Sequence, residues 1–112
     1  MTARTQAGRK AKGTRAERRA AESLREAGWF VVRAAGSHGL CDLVALWTPA
    51  VATTSERGFI PALVVQVKTG RGARAAERAK LRELALRLSV KVSVEVWTYR
   101  DRVAVPYVEV IQ

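Results

Sequence analysis

The stretch Ala62-Leu63-Val64-Val65-Gln66-Val67-Lys68 decides how the chain folds. Its run of valines and other aliphatic residues is typical of a buried strand. Gln66 and Lys68 interrupt the run two positions apart, so both side chains leave the same face of the strand. A polar pair in such a strand costs free energy unless it finds partners, and the pair therefore marks a candidate functional site.

Strands and helices are predicted on both sides of this segment. Apolar runs predict four more strands, over residues 29–34, 41–47, 91–99 and 103–110. A 3.6-residue periodicity predicts two helices, over residues 14–27 and 73–88. A turn rich in small residues indicates that the first two strands form a hairpin, and Pro106 indicates that the last strand is short or lies at an edge. The order α-β-β-β-α-β-β predicts an α/β fold in which a central mixed five-stranded sheet is flanked by helices.

The chain divides into a basic arm and one domain. Residues 1–13 carry several cations and almost no large apolar side chains, which predicts a flexible basic arm, with a tail that only aids solubility as the alternative. Thr14 is a plausible N-cap, and Glu17 three residues later completes a capping-box pattern. Residues 14–112 are long enough for a single domain.

The charge balance restricts the class of partner. Twenty Lys and Arg against ten Asp and Glu give a formal net charge of +10, which favours nucleic acid ahead of an anionic membrane. No segment approaches the roughly 20 uninterrupted apolar residues of a membrane span. The single cysteine, Cys41, excludes an intramolecular disulfide and indicates a packing residue. We expect a protein of the reducing cytoplasm, either cellular or phage-encoded in its host.

Two carboxylates occupy positions where the pattern favours apolar side chains. Helical geometry places Glu17 on the same face as the alanines and the leucine of the first helix, so this carboxylate is directed at the sheet. Asp42 opens the second strand in an otherwise apolar context. A buried carboxylate is costly unless it is paired or bound to metal. For Glu17 the alternative is a helix-capping role.

Together these residues have the composition of an oxygen-rich cation site. Hard divalent ions such as Mg²⁺ or Mn²⁺ prefer carboxylate, amide and water ligands, which Glu17, Asp42 and Gln66 would provide. Bound metal activates water and stabilises negative charge on a phosphate, and Lys68 would add a positive charge beside the nucleophile. The set therefore suits phosphodiester cleavage. A purely structural network of hydrogen bonds and ion pairs is the alternative.

Four ordered segments resemble the PD-(D/E)xK nucleases, and within them the archaeal-type Holliday junction resolvases with their phage and bacterial relatives. The segments are KGTRAER at 12–18, GWFVVRAAGS at 28–37, DLVA at 42–45 and QVK at 66–68. The resemblance implies a restriction-endonuclease-like core in which Glu17, Asp42 and Gln66 hold the metal. It also implies that Lys68 assists the attacking water and that Ser37 contacts the scissile phosphate.

The resemblance further implies a homodimer that places two active sites on opposing strands of a four-way junction.

Two residues depart from the family pattern. Cys41 stands where the family usually has proline, and Gln66 stands where it usually has glutamate. A neutral amide oxygen binds a divalent ion more weakly than a carboxylate does, so Gln66 leaves the site one negative charge poorer.

Several other residues are candidates for DNA contacts. Ser37 and His38 lie in a turn with glycine on both sides, which permits close approach to a phosphate backbone. A solvated loop histidine is the alternative for His38. Six cations flank the predicted site in motif order and are candidates to neutralise phosphates, with a merely solvated charge as the alternative for each: Lys10, Lys12, Arg15, Arg33, Arg71 and Arg74.

Three functions fit these features. The first is a metal-dependent endonuclease that resolves four-way DNA junctions by hydrolysis. The second is a noncatalytic protein of the same fold that binds branched DNA. The third is a nuclease of the same superfamily that acts on another DNA structure.

Overall fold

The computed structural model describes residues 6–34, 41–52 and 58–112, and within residues 6–11 it describes the backbone alone. Two helices and five strands follow one another in the predicted order. They are α1 (Gln6–Glu26), β1 (Phe30–Arg33), β2 (Leu43–Leu46), β3 (Ala62–Thr69), α2 (Ala75–Arg87), β4 (Val92–Tyr99) and β5 (Tyr107–Val110).

The strands form a single sheet in the order β1-β2-β3-β4-β5. β3 and β4 pair in parallel, and the other three pairings are antiparallel. The parallel pair requires a crossover, which α2 provides. The predictions of a mixed five-stranded sheet and of a β1–β2 hairpin are therefore confirmed. β5 follows Pro106 and lies at an edge, as predicted.

The predicted start of the first helix is wrong. Helix α1 begins at Gln6, so Thr14 lies inside it and does not act as an N-cap. Residues 6–13, which were predicted to belong to a flexible arm, are its first turns. Alanine, lysine, arginine and glutamine predominate there, and their high helix propensity outweighs the two glycines among them. Residues 1–5 lie outside the described residues.

The other end of α1 agrees with the sequence pattern. Gly28 has a φ of 102°, and the N–H groups of Gly28 and Trp29 donate to the carbonyls of Arg25 and Leu24. A Cβ on Gly28 would lie 2.7 Å from the carbonyl carbon of Ala50. Glycine is therefore required here both for its backbone conformation and for the space it leaves.

Two apolar cores lie on opposite faces of the sheet. On one face α1 buries its alanines and Leu24 against alternate residues of β2, β3 and β4. On the other face α2 buries Leu81 and Ala85 against Val64 of β3 and two valines of β4. Leu84 and Leu88 pack at the margin of this second core, in agreement with the 3.6-residue periodicity that predicted α2.

This alternation assigns the residues of β3 to two sides. Leu63, Val65 and Val67 belong to the α1 core, so Gln66 and Lys68 leave the sheet on the α2 side.

Cys41 is half-buried against the α2 core, where burial raises the pKa of its thiol. Across the described ranges, neither helix is long and apolar enough to cross a membrane.

Candidate active site

Asp42 is held at the start of β2 by hydrogen bonds to β3. Its backbone N–H donates to the Val65 carbonyl over 2.9 Å, and its Oδ2 accepts a hydrogen bond of 2.7 Å from the Val67 N–H. These two contacts fall on either side of Gln66. The strand register, in which Leu43 pairs with Val65, thus places Asp42 beside Gln66.

The carboxylates of Glu17 and Asp42 are close neighbours. The pKa of Asp42 is raised to about 6 by burial, together with the negative charge of Glu17 and a hydrogen bond to it, against the opposing effects of the Val67 N–H and Lys68. The charge of Glu17 therefore disfavours ionisation of Asp42. A cation between them would remove that penalty.

Gln66 supplies an oxygen that lacks a partner. Its side chain is half-buried, and Oε1 is shielded from solvent with no hydrogen-bond partner in the described part of the chain. A buried acceptor that makes no hydrogen bond lowers the free energy of unfolding by about 1–3 kcal/mol.

The donor set suits a hard divalent ion. No group of three or more Asp, Glu, His or Cys side chains suited to a metal exists among residues 6–34, 41–52 and 58–112. A metal held by Glu17 and Asp42 would therefore need a neutral third ligand, for which the unpaired amide oxygen of Gln66 is available. This chemistry fits Mg²⁺ or Mn²⁺.

Lys68 has a partner that sequence reasoning missed. Its Nζ donates to Glu77 Oε2 over 2.5 Å, and Glu77 Oε1 accepts the backbone N–H of Arg74 over 3.2 Å. Partial burial would raise the pKa of Glu77, but these hydrogen bonds and the positive charge of Lys68 lower it. The only sequence signal was an acidic residue in the first turn of α2, a common feature of helices that does not point to Lys68.

A cleft of about 980 Å³ opens to solvent beside Val67, and neither Asp42 nor Gln66 is among the residues that line it. It lies where β3 ends between the two helices, and Glu17, Lys68 and Glu77 line it. Arg71 and Arg74, two of the predicted phosphate contacts, line the same cleft. The geometry thus brings carboxylates, a lysine and two arginines to one open surface.

The other residues predicted to contact DNA lie at different distances from the cleft or outside the described residues. The Arg33 guanidinium donates to Glu17 Oε2 over 3.2 Å, which places Arg33 at the site. Lys12 and Arg15 line a neighbouring cavity on α1. Lys10 lies in α1, with its side chain outside the description, and Ser37 and His38 are outside the described residues.

Comparisons with known proteins identify a matching family and a similar structure. The sequence pattern of the archaeal Holliday junction resolvase (Hjc) family matches residues 8–85. Among solved structures, the Holliday junction resolvase Hjc of Archaeoglobus fulgidus is similar, with 25% sequence identity and a TM-score of 0.61. The alignment covers 90% of this chain and 74% of the archaeal chain. No curated protein sequence matches the chain significantly.

Proposed function

Because the chain belongs to the archaeal Holliday junction resolvase family, we propose that it cuts four-way DNA junctions by divalent-metal-dependent hydrolysis at the cleft between α1 and α2. Family membership makes the chain a junction-resolving nuclease. The metal and the individual residues are the part proposed. The observation that carries them is the pair of Glu17 and Asp42 carboxylates beside the unpaired amide oxygen of Gln66.

We assign the metal to these three side chains. Glu17 and Asp42 would hold Mg²⁺ or Mn²⁺ with full negative charges, and Gln66 Oε1 would complete the set as a neutral ligand. When bound, the ion would act as a Lewis acid on the phosphate and lower the pKa of a coordinated water. Val67 orients Asp42 through its backbone N–H, so the carboxylate is fixed before metal binds.

Lys68 is the cation that faces the reacting phosphate in this proposal. Its Nζ is held at the cleft by Glu77, and from there it would orient the attacking water and stabilise the charge that develops on phosphate. Glu77 also restores near Lys68 a negative charge that the family glutamate would have provided at position 66. We therefore place Glu77 in the site as a positioning residue.

The surrounding cations suit a DNA backbone. Arg71 and Arg74 line the cleft, and Arg33 stands at its edge beside Glu17. Such contacts hold DNA without reading its bases, which suits recognition of a junction by shape. We retain Ser37 as a contact to the scissile phosphate, with Lys10 and His38 as further DNA contacts.

A second copy of the chain would complete the functional unit. Each copy carries one cleft, whereas a four-way junction is resolved by cuts in two strands. The α2 side of the β1–β2 hairpin is apolar and uncovered: Phe30 is 60% exposed, Val32 44% and Leu46 42%. We propose that a homodimer buries this face. Phe30→Ser should then weaken the dimer, and a sedimentation measurement of the mass in solution would detect the change.

The decisive experiment compares end-labelled four-way junction with linear duplex of the same sequence, each with Mg²⁺, Mn²⁺ or EDTA. We expect paired cuts in the junction alone, dependent on metal, and no cuts by Asp42→Asn. Metal-dependent cutting of duplex at an equal rate would instead indicate a nuclease for another DNA structure. Tight junction binding without cutting under either metal would indicate a noncatalytic binder in which Gln66 fails as a ligand.

A further inference from the structure

A second cavity, of about 280 Å³, lies between α1 and the turn that joins β4 to β5. Five cations line it and define what we call the basic pocket: Lys12, Arg15, Arg19, Arg100 and Arg102. We propose that the basic pocket binds a phosphodiester group of the same DNA strand that enters the active-site cleft, away from the scissile bond. This inference rests on the proposed function, since it takes DNA as the ligand.

The charge of the basic pocket calls for an anion. Its one acidic side chain, Asp101, accepts a salt bridge of 2.6 Å from Lys12 Nζ. The side chains that line the basic pocket thus carry five positive charges and one negative charge, a net charge of +4 around one small cavity. Such repulsion raises the free energy of the unliganded protein and is relieved when a phosphate is bound. Arginine suits this ligand because its planar guanidinium can donate two hydrogen bonds to one phosphate.

The basic pocket is also held in shape before any ligand arrives. The Arg19 guanidinium lies 4.8 Å from the centre of the Tyr99 ring and donates to the Ala104 carbonyl over 2.8 Å. These contacts fasten the β4–β5 turn to α1. The Arg100 guanidinium lies 5.7 Å from the centre of the Tyr107 ring. Because these positions are fixed in the free protein, less conformational entropy is lost when a phosphate binds.

The basic pocket adjoins the active-site cleft. Ala16 of α1 and Thr69 at the end of β3 line both cavities, so the two open onto one continuous surface. Arg71 and Arg74 lie on the cleft side, and the arginines of the β4–β5 turn lie on the other. A DNA strand carries a phosphate at every nucleotide, so a strand crossing this surface would present one to each cavity. Arg100 and Arg102 lie beyond residues 8–85, the segment that matches the family pattern.

The test is the salt dependence of junction binding by the double variant Arg100→Gln/Arg102→Gln, measured in EDTA so that no cleavage intervenes. The matched control, Arg82→Gln/Arg87→Gln, removes two exposed charges from α2, on the opposite face of the sheet from α1. We expect the double variant to bind about tenfold more weakly at about 100 mM salt. Its plot of log K against log salt should be shallower by about 1, since one neutralised phosphate contributes about that slope.

Other outcomes have separate meanings. An unchanged slope, or an equal loss in the control, would overturn the proposal. Arg100→Lys/Arg102→Lys keeps the charge and should retain the wild-type slope; if its slope instead falls as far as that of the glutamine variant, the loss does not come from charge and the proposal is overturned. Thermal stabilisation of the wild type by inorganic phosphate, without any difference in DNA slope, would assign the basic pocket to a free anion and reject the DNA strand.

The design separates this proposal from the proposed function. If the wild type cuts junctions and the double variant retains the wild-type slope, the catalytic proposal stands and the basic pocket fails. If the wild type cuts nothing with any metal and the double variant still loses slope, the basic pocket stands and the catalytic proposal fails.

Discussion

The ammonium of Lys68 on β3 and the carboxylate of Glu77 on α2 form an ion pair with an Nζ–Oε2 distance of 2.5 Å at the active-site cleft. The pair ties the end of the polar strand to the first turn of the following helix. It also places a carboxylate beside the strand that carries Gln66 instead of the glutamate usual in the family. In the proposed site, the carboxylate of Glu77 would compensate for the negative charge that Gln66 lacks.

Glu77→Gln should lower kcat about tenfold or more while leaving junction affinity in EDTA nearly unchanged, because Lys68 would lose the partner that positions it. Glu83→Gln removes the same charge from an exposed position of α2 and is the control. Single-turnover cleavage and binding titrations measure the two quantities. Glu77→Asp should recover part of kcat. A loss of affinity equal to the loss of kcat would argue against a positioning role.

Asp42→Asn should stabilise the metal-free protein at neutral pH. The folded pKa of Asp42 is raised to about 6 from an ordinary value of 3.8, so wild-type stability falls as the pH rises between these values and the loss is complete above the folded pKa. We expect the variant to exceed wild type by about 1 kcal/mol above pH 6, a figure reduced by solvent screening of a half-buried group.

Urea unfolding in EDTA at about pH 4 and pH 7.5 tests this expectation. The difference between variant and wild type should be small at the lower pH and grow at the higher one. Saturating Mg²⁺ should then stabilise the wild type more than the variant, since only the wild type has both carboxylates. An equal difference at both pH values would contradict the raised pKa of Asp42.

Gln66→Glu should tighten the binding of Mg²⁺ by about tenfold or more, because it adds a negative charge where a neutral amide stands. Isothermal titration of the free protein measures the change without reference to cleavage. Gln66→Val, which fits the surrounding strand, is the opposite control and should weaken metal binding while stabilising the metal-free fold. An unchanged metal affinity in both variants would remove Gln66 from the site.

Gly28→Ala should lower the free energy of unfolding by about 2 kcal/mol or more, for two reasons. Alanine is strained at the positive φ of this position, and its Cβ would clash with the backbone of Ala50. Gly70→Ala is the matched control, since Gly70 has a φ of 70° and open space around its Cβ position. That variant should lose only about 1 kcal/mol. Equal losses in thermal or urea unfolding would show that the contact with Ala50 has no separate cost.

Local sequence patterns predicted the order of the elements and named most residues of the proposed site. Alternation along β3 separates Gln66 and Lys68 from the valines that face α1, and helical periodicity directs Glu17 at the sheet. These are local regularities that depend on backbone geometry alone. The start of α1 was not determined in this way, because a capping pattern around Thr14 competes with the helix propensity of the residues before it.

Which distant groups meet depends on tertiary packing. The strand register places Asp42 against Val67, whose N–H lowers the pKa of Asp42. Burial and the approach of Glu17, which the packing of α1 brings to it, raise that pKa. The crossover through α2 brings Glu77 to Lys68, and the β4–β5 turn brings Arg100 to the cations of α1. Such contacts depend on how elements pack across the chain, and no local periodicity of the sequence encodes them.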